Sequence, residues 1–418
     1  MLNALKQPEI RNKILFSLLV IFLFRFLAHV PVPFVDLIAL RSLFNANPLL
    51  GLFDVFSGGG FQNFSVVSLG LNPYVTGSII IQMLTFMFPS LEAMQKEGEQ
   101  GREKLNMYSR LLALPISLFQ AYGLYFLLNR QGVIPQLDVW SLSILIATLT
   151  AGTMLLMWIG ELVTEYGVGQ GISLLIFAGI ISSLPTTFTQ IVTTLNSDNI
   201  FSFLILGFST FLLVMGVVYA NEGTRNIKME YGRKGIRSES VVNYLPIKIN
   251  NAGVIPIIFA VSLVILPSML APGLQSIPNQ TVQEIGLFLA RNFTSTSLLY
   301  NVLYFLLIIA FTYFYTSIQF NPEKISDDLK KRGGYIAGIR PGKATTMYLA
   351  GIINRITLVG AVFLGLIAVM PYILSNFINT SNYVVGGTSL LIVVSVIIET
   401  LRQIQSLTVS RNYNSFLD

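Results

Sequence analysis

The chain has 418 residues and a formal net charge of +6; 53% of its residues are hydrophobic and 11% charged, against roughly 25% charged in soluble domains. Apolar windows of the roughly 20 residues needed to cross a bilayer recur along the whole length. They describe a polytopic helical membrane protein and exclude both a soluble domain and a closed barrel, whose apolar residues alternate with polar ones.

There is no cysteine and a single histidine, His29. That removes disulfides, thiolate catalysis and most zinc or iron sites, so no metal or other cofactor is expected. The first apolar run follows "MLNALKQPEIRNK". It is too long for a signal-peptide core and has no small-residue cleavage site, so it reads as a retained span.

Ten candidate spans lie near 14–33, 66–88, 110–129, 142–162, 172–194, 202–220, 253–272, 298–318, 347–371 and 384–405. In the first, Arg25 is the one charge deep in a span. It is expected to face protein or water and to pair with backbone carbonyls. His29 reads as a hydrogen-bonded interfacial residue. Ahead of the second span, "DVFSGGGFQNFSVVSLGLNPYVTGSIII" (54–81) combines Gly58, Gly59 and Gly60 with Pro73, poor material for an unbroken helix.

The basic residues set direction. Of the 26 Lys and Arg, all but Arg25, Arg41, Arg130, Arg291 and Arg355 fall in segments that are cytoplasmic if the N-terminus is inside. By the positive-inside rule both termini are expected in the cytoplasm. Two inner loops, 221–248 and 321–348, are long and basic. As topology signals they would explain the sign of the charge. As a docking surface for an anionic cytoplasmic partner they would also explain the length.

Ten spans divide into five and five, 1–195 and 196–418, and an odd number per half forces inverted topology. One echo supports a repeat: Gly70-Leu71-Asn72-Pro73 opens the second span and Gly253-Val254-Ile255-Pro256 the seventh. The match suggests that these two spans face each other across a central pathway. Glu161, Glu165 and Glu399 sit near cytoplasmic span ends, so the midplane carboxylates of an ion-coupled transporter are lacking. No Ser/His/Asp set or phosphate-binding glycine loop can be assembled. An apolar conduit with bulky docking loops remains, beside a small-solute transporter and a poreless insertase.

Two stretches, "SVVSLGLNPYVTGSIIIQML" (65–84) and "MWIGELVTEYGVGQGISLLIF" (157–177), resemble signatures of the SecY family of protein-translocase channel subunits. "LPIKINNAGVIPIIFA" (245–260), "AGIRPGKAT" (337–345), "NRITLVGA" (354–361) and "GGTSLLIVVSVIIE" (386–399) follow in the family's order and spacing. Gly77 departs from the usual Ala or Ser, and the loop tip at 232–240 is about a residue shorter than usual.

The resemblance implies an all-α polytopic protein of ten transmembrane helices in two inverted pseudo-symmetric halves around a central hourglass pore. It implies passage of unfolded polypeptides across the bacterial cytoplasmic membrane and lateral release of apolar segments into lipid. The lateral gate would lie between the second and third spans and the seventh and eighth. A ring of Leu71, Val75, Ile176, Ile180, Ile258 and Ile392, with Ile255 beside it, would form the constriction. A short plug near 50–64, with Leu52, Phe53, Asp54, Val55 and Phe56 in its helix and Gly58, Gly59 and Gly60 as hinge, would cover it. The docking loops, at 221–250 and 319–346, would meet the ribosome and the SecA ATPase through Arg233, Lys234, Arg237, Lys248 and Arg340. SecE and SecG subunits, signal peptides, nascent chains and lipid complete the implied partners. Such a conduit is passive and is not an enzyme.

Overall fold

The structure is a computed structural model and describes residues 7–46, 57, 59–193, 200–231, 243–250, 252–275, 277, 279–294, 297–377 and 387–414. In the first half the helices are α1 (Pro8–Leu27), α2 (Leu37–Ala46), α3 (Asn72–Met87), α4 (Pro89–Lys96), α5 (Glu99–Arg130), α6 (Val139–Tyr166) and α7 (Gly171–Thr193). The second half holds α8 (Ile200–Glu222), strands β1 (Thr224–Tyr231) and β2 (Asn243–Lys248), then α9 (Ile255–Gln275) and α10 (Gln280–Asn292). It closes with α11 (Leu298–Gln319), α12 (Pro322–Lys331), β3 (Gly334–Ile336), α13 (Lys343–Phe377) and α14 (Gly387–Asn414).

Each of the ten expected spans falls on a described helix: α1, α3, α5, α6, α7, α8, α9, α11, α13 and α14. Among the described residues, six helices are long and apolar enough by themselves to cross a membrane. A seventh is the pair α3 and α4, bent by 103° at its join. The bend has a local cause. Phe88, extended at φ −109° and ψ 116°, precedes Pro89, and a residue before proline is driven out of the helical region.

Helix packing repeats between the halves. In the first, α3 packs on α5, α5 on α6, α6 on α7, and α1 on α6 and α7. In the second, α9 packs on α11, α11 on α13, α13 on α14, and α8 on α13 and α14. The halves meet where α7 and α1 touch α14, and where α3 and α5 touch α9.

Two structures lie off the bundle. The first joins the two long basic loops. β1, β2 and β3 form one antiparallel sheet in the order β2-β1-β3, with Thr224 opposite Lys248 and Glu230 opposite Tyr335. Ile227, Ile247 and Ile336 turn inward onto Leu349, Ile352 and Ile353 of α13. Pro246, which has no N–H to donate, is tolerated because β2 is an edge strand. The second is the segment ahead of α3. Ser65 bridges to Pro31, and Phe61, Phe64 and Leu69 pack into an apolar cluster with Leu124 and Leu128 of α5 and Leu145 and Leu149 of α6.

This segment presses on α6 at a glycine. A Cβ on Gly152 would lie 2.0 Å from the Val66 carbonyl oxygen. Gly152→Ala is therefore expected to push 65–71 off α6 at an overpacking cost of about 1–3 kcal/mol. Thermal unfolding in mild detergent measures it, and an unchanged midpoint would contradict the contact.

Candidate functional site

The backbone breaks in matching places in the two halves. Gly70 and Gly253 take φ of +60° and +65°, the left-handed region in which glycine carries no Cβ penalty. Each is followed by a helix with proline at its second residue, Pro73 in α3 and Pro256 in α9. A proline in the first turn loses no intrahelical hydrogen bond and arrives with its φ preset. The G-x-x-P echo is thus the same backbone device used twice, and α3 and α9 pack against each other.

The aliphatic residues expected to form a ring stand just past these breaks and on two further helices. Leu71 caps α3 and Val75 lies in its first turn, Ile255 and Ile258 are in the first turn of α9, Ile176 and Ile180 on α7, and Ile392 on α14. Leu71, Val75, Ile176, Ile180, Ile258 and Ile392 are all buried in one apolar cluster, and half-buried Ile255 packs on it. Aliphatic side chains donate and accept no hydrogen bonds, so they meet a neighbour or a passing group without holding it.

Of the expected plug, Leu52, Phe53, Asp54, Val55, Phe56 and Gly58 lie outside the described residues. Ser57, Gly59 and Gly60 are described and form a tight turn. Gly59 is left-handed at φ +79°. A Cβ on Gly60 would meet Ser65 Oγ at 2.8 Å and the Ser57 carbonyl oxygen at 3.1 Å. The Phe61 amide donates to Ser57 Oγ at 2.9 Å.

Arg25 reaches a hydroxyl on α7. Its Nη1 donates to Ser182 Oγ on α7 at 2.8 Å. The Arg25 carbonyl accepts from His29 Nδ1 at 2.8 Å, a local bond that suits an interfacial histidine. Arg110 of α5 forms an ion pair with Glu161 of α6. Its charge therefore ties two helices together.

A buried polar network, which the sequence does not advertise, sits between sheet and ring. Asn250 Nδ2 donates to Asn221 Oδ1 at 2.8 Å, and Asn221 Nδ2 donates to Ser395 Oγ at 2.8 Å. The Gly253 amide donates to Asn250 Oδ1 at 3.0 Å, fixing the left-handed turn into α9. Arg402 of α14 donates to the Asn221 carbonyl at 3.1 Å and pairs with Glu222 at 2.9 Å. This joins the end of α8, the root of the β1–β2 hairpin and α14 one turn from Ile392. The neighbouring Gln403 accepts from the Gly169 amide at 2.6 Å, and Ser17 of α1 accepts from the Val168 amide at 2.9 Å. The "YGVGQG" turn is thereby held from α1 and from α14. Its helices close tightly, since a Cβ on Gly171 would lie 1.8 Å from the Gly160 carbonyl.

The residues expected to dock a partner divide by position. Arg340 is exposed in the turn between β3 and α13. That turn is braced by Thr345 Oγ1 donating to the Arg340 carbonyl and Ser326 Oγ donating to the Gly342 carbonyl, both at 3.0 Å. Lys248 ends β2 on the same sheet. Partial burial and the Arg402 charge hold its ammonium below the usual lysine range, while Glu399 and Glu222 pull the other way. Arg233, Lys234 and Arg237 lie outside the described residues. At the expected lateral gate, α3 and α5 pack on α9, and Phe86 of α3 meets Phe314 of α11 edge to face, ring centroids 5.7 Å apart.

A SecY family model matches residues 65–401. The protein translocase subunit SecY of Thermotoga maritima is 40% identical, the match covering 99% of this chain and 96% of that one. The Bacillus subtilis protein of the same name is 39% identical, over 99% and 98%. Among solved structures, a protein-conducting channel aligns with TM-score 0.66 at 18% identity over 97% of this chain and 94% of that one. The Sec61 channel of a canine ribosome-channel complex aligns with TM-score 0.61 at 18% identity, over 97% and 94%.

The polar network makes a measurable claim. Asn250→Leu leaves Asn221 Oδ1 and the Gly253 amide without the Asn250 side chain, a loss of about 1–3 kcal/mol. In a double-mutant cycle with Asn221→Leu, unfolding in detergent should give a coupling of at least about 0.5 kcal/mol. Additive effects would mean that the two asparagines do not act together.

Proposed function

This chain belongs to the SecY family, and we propose on that premise that it is a protein-conducting channel of a bacterial cytoplasmic membrane. It passes unfolded polypeptides and releases apolar segments sideways into lipid. One observation carries the proposal: seven aliphatic side chains from α3, α7, α9 and α14, drawn from both halves, converge in a single cluster beside paired backbone breaks. A polypeptide conduit has to admit every side chain and still resist ions. An aliphatic constriction does both, because it offers a sliding chain no fixed hydrogen-bonding station and it dewets when empty.

The surrounding parts take roles that fit this centre. Leu71, Val75, Ile176, Ile180, Ile255, Ile258 and Ile392 are the ring. Residues 50–64 are the plug, turning on the glycines at 58–60. Release into lipid occurs between α3 with α5 and α9 with α11, where apolar contacts such as Phe86 with Phe314 separate without leaving charges unpaired.

The channel does not supply its own energy and is not itself an enzyme. A ribosome or the SecA motor docks on the cytoplasmic sheet and its tip, using Lys248, Arg340 and the basic residues Arg233, Lys234 and Arg237. A guanidinium suits such a site because its planar fork grips phosphate or carboxylate bidentately. SecE and SecG are the small subunits expected beside it, with both termini in the cytoplasm, as the basic loops require.

The ring assignment is tested by ion leak. Ile392→Asn puts a hydrogen-bonding group into the constriction and is expected to raise resting conductance in reconstituted planar bilayers well above wild type. Conductance unchanged from wild type would remove Ile392 from the barrier.

A further inference from the structure

We propose that residues 33–38, together with Trp140, anchor the chain in the head-group boundary of the membrane surface opposite the sheet. The partner is the lipid itself. The proposal needs only a chain that crosses a membrane, and it does not rest on the conduit reading.

The two tryptophans of the chain mark the level of that boundary. Both lie on α6, Trp140 in its first turn and Trp158 five helical turns on, about 27 Å along the axis. Five turns return to the same face, and both indoles are exposed, at 74% and 60%. The hydrocarbon core of a bilayer is about 30 Å thick, and tryptophan collects at its two edges. Trp158 lies towards the end of α6 where the Gly169 amide meets Gln403 of α14, and the adjacent Arg402 reaches the Asn221 carbonyl at the root of the sheet. Trp140 therefore stands at the opposite edge.

Phe34 and Ile38 are held at the same end. The Asp36 amide donates to the Val133 carbonyl at 3.1 Å, in the loop that leads into α6. Val35 and Leu37 pack on the same apolar cluster as Leu137. The residues that alternate with them turn outward: Phe34 is 43% exposed and Ile38 84%. Asp36 Oδ1 accepts from the amides of Ile38 and Ala39 at 2.8 and 3.2 Å, which starts α2 and fixes where Ile38 projects.

The backbone adds a second observation. Among the described residues, the non-glycine positions with positive φ are Phe34, at 77°, and Phe64, at 41°. A bulky side chain in this region is strained. Complete burial of the Phe64 ring offsets the strain there, whereas the protein leaves the Phe34 ring half covered. A membrane boundary supplies the missing cover, because it takes up apolar and aromatic side chains at the head-group level. The anchored segment also steadies the approach to α3. The Val32 amide donates to the Phe64 carbonyl at 2.9 Å, and the Val66 amide donates to the Val30 carbonyl at 3.0 Å.

The experiment reads tryptophan fluorescence from the full chain in phosphatidylcholine vesicles brominated either near the head groups or at the chain ends, with iodide on both sides as the aqueous quencher. Trp158→Tyr leaves Trp140 as the one emitter. A Trp140→Tyr, Trp158→Tyr background then carries Phe34→Trp or Ile38→Trp in turn. For a side chain about 5–10 Å into the boundary, shallow bromines should cut each emission by about half or more, chain-end bromines should cut it less, and iodide should do little. Ile38→Trp serves if Phe34→Trp does not assemble. Emission from Trp140, or from both Phe34→Trp and Ile38→Trp, that iodide quenches and brominated lipid leaves alone puts the segment in water and overturns the proposal. Emission that neither quencher reaches means that protein covers the segment, a second copy or another chain, and overturns it equally.

Discussion

The structure depends on the meeting of two interrupted backbones inside an apolar cluster. A bilayer tolerates broken helices only where protein or a water-filled cavity satisfies the freed backbone groups. Gly70 and Gly253 both break the chain, and both breaks lie against the same cluster of aliphatic side chains. That arrangement lets α3 and α9 begin at the centre of the bundle and present Leu71, Val75, Ile255 and Ile258 there. α7 and α14 add Ile176, Ile180 and Ile392 to the same cluster. A cluster held only by dispersion contacts and excluded water has no directional bond to break if its helices part.

The sheet outside the bundle is tied to that centre. The two basic loops share one sheet, seated on α13 through Ile227, Ile247 and Ile336. Where the hairpin re-enters the bundle, Asn250 holds both Asn221 and the left-handed Gly253. The same chain of bonds ends at Ser395, one turn from Ile392. A load placed on the sheet therefore has a short hydrogen-bonded route to α9 and α14. Buried polar groups joined in this way are rigid when complete and costly to leave half made.

Much of this was legible in the sequence. Long apolar runs marked where the helices lie, because a bilayer enforces length and composition more strictly than water does. The G-x-x-P pair was legible as an echo, and its meaning lay in the left-handed glycines. The sheet was not read, although "TRNIKMEY" alternates apolar and polar residues from Asn226 to Tyr231, since its partner strand β3 lies about a hundred residues away and is only Gly334–Ile336. The asparagine network was also hidden: Asn221, Asn250 and Ser395 are ordinary residues whose role arises only from packing between distant elements. Arg25 was visible as an anomaly, but Ser182 as its partner could not be read from spacing across 157 positions.

The central claim is that a polypeptide passes through the middle of the aliphatic cluster. Because the chain has no cysteine, single cysteines at Val75, Ile180, Ile258 and Ile392 can be tested without background against one cysteine in a polypeptide stalled during transport. A central path predicts disulfide capture from all four positions, on four different helices, by overlapping stretches of the stalled chain. Capture by a cysteine at outward-facing Phe208 instead, or from one helix only, would contradict a conduit through the ring.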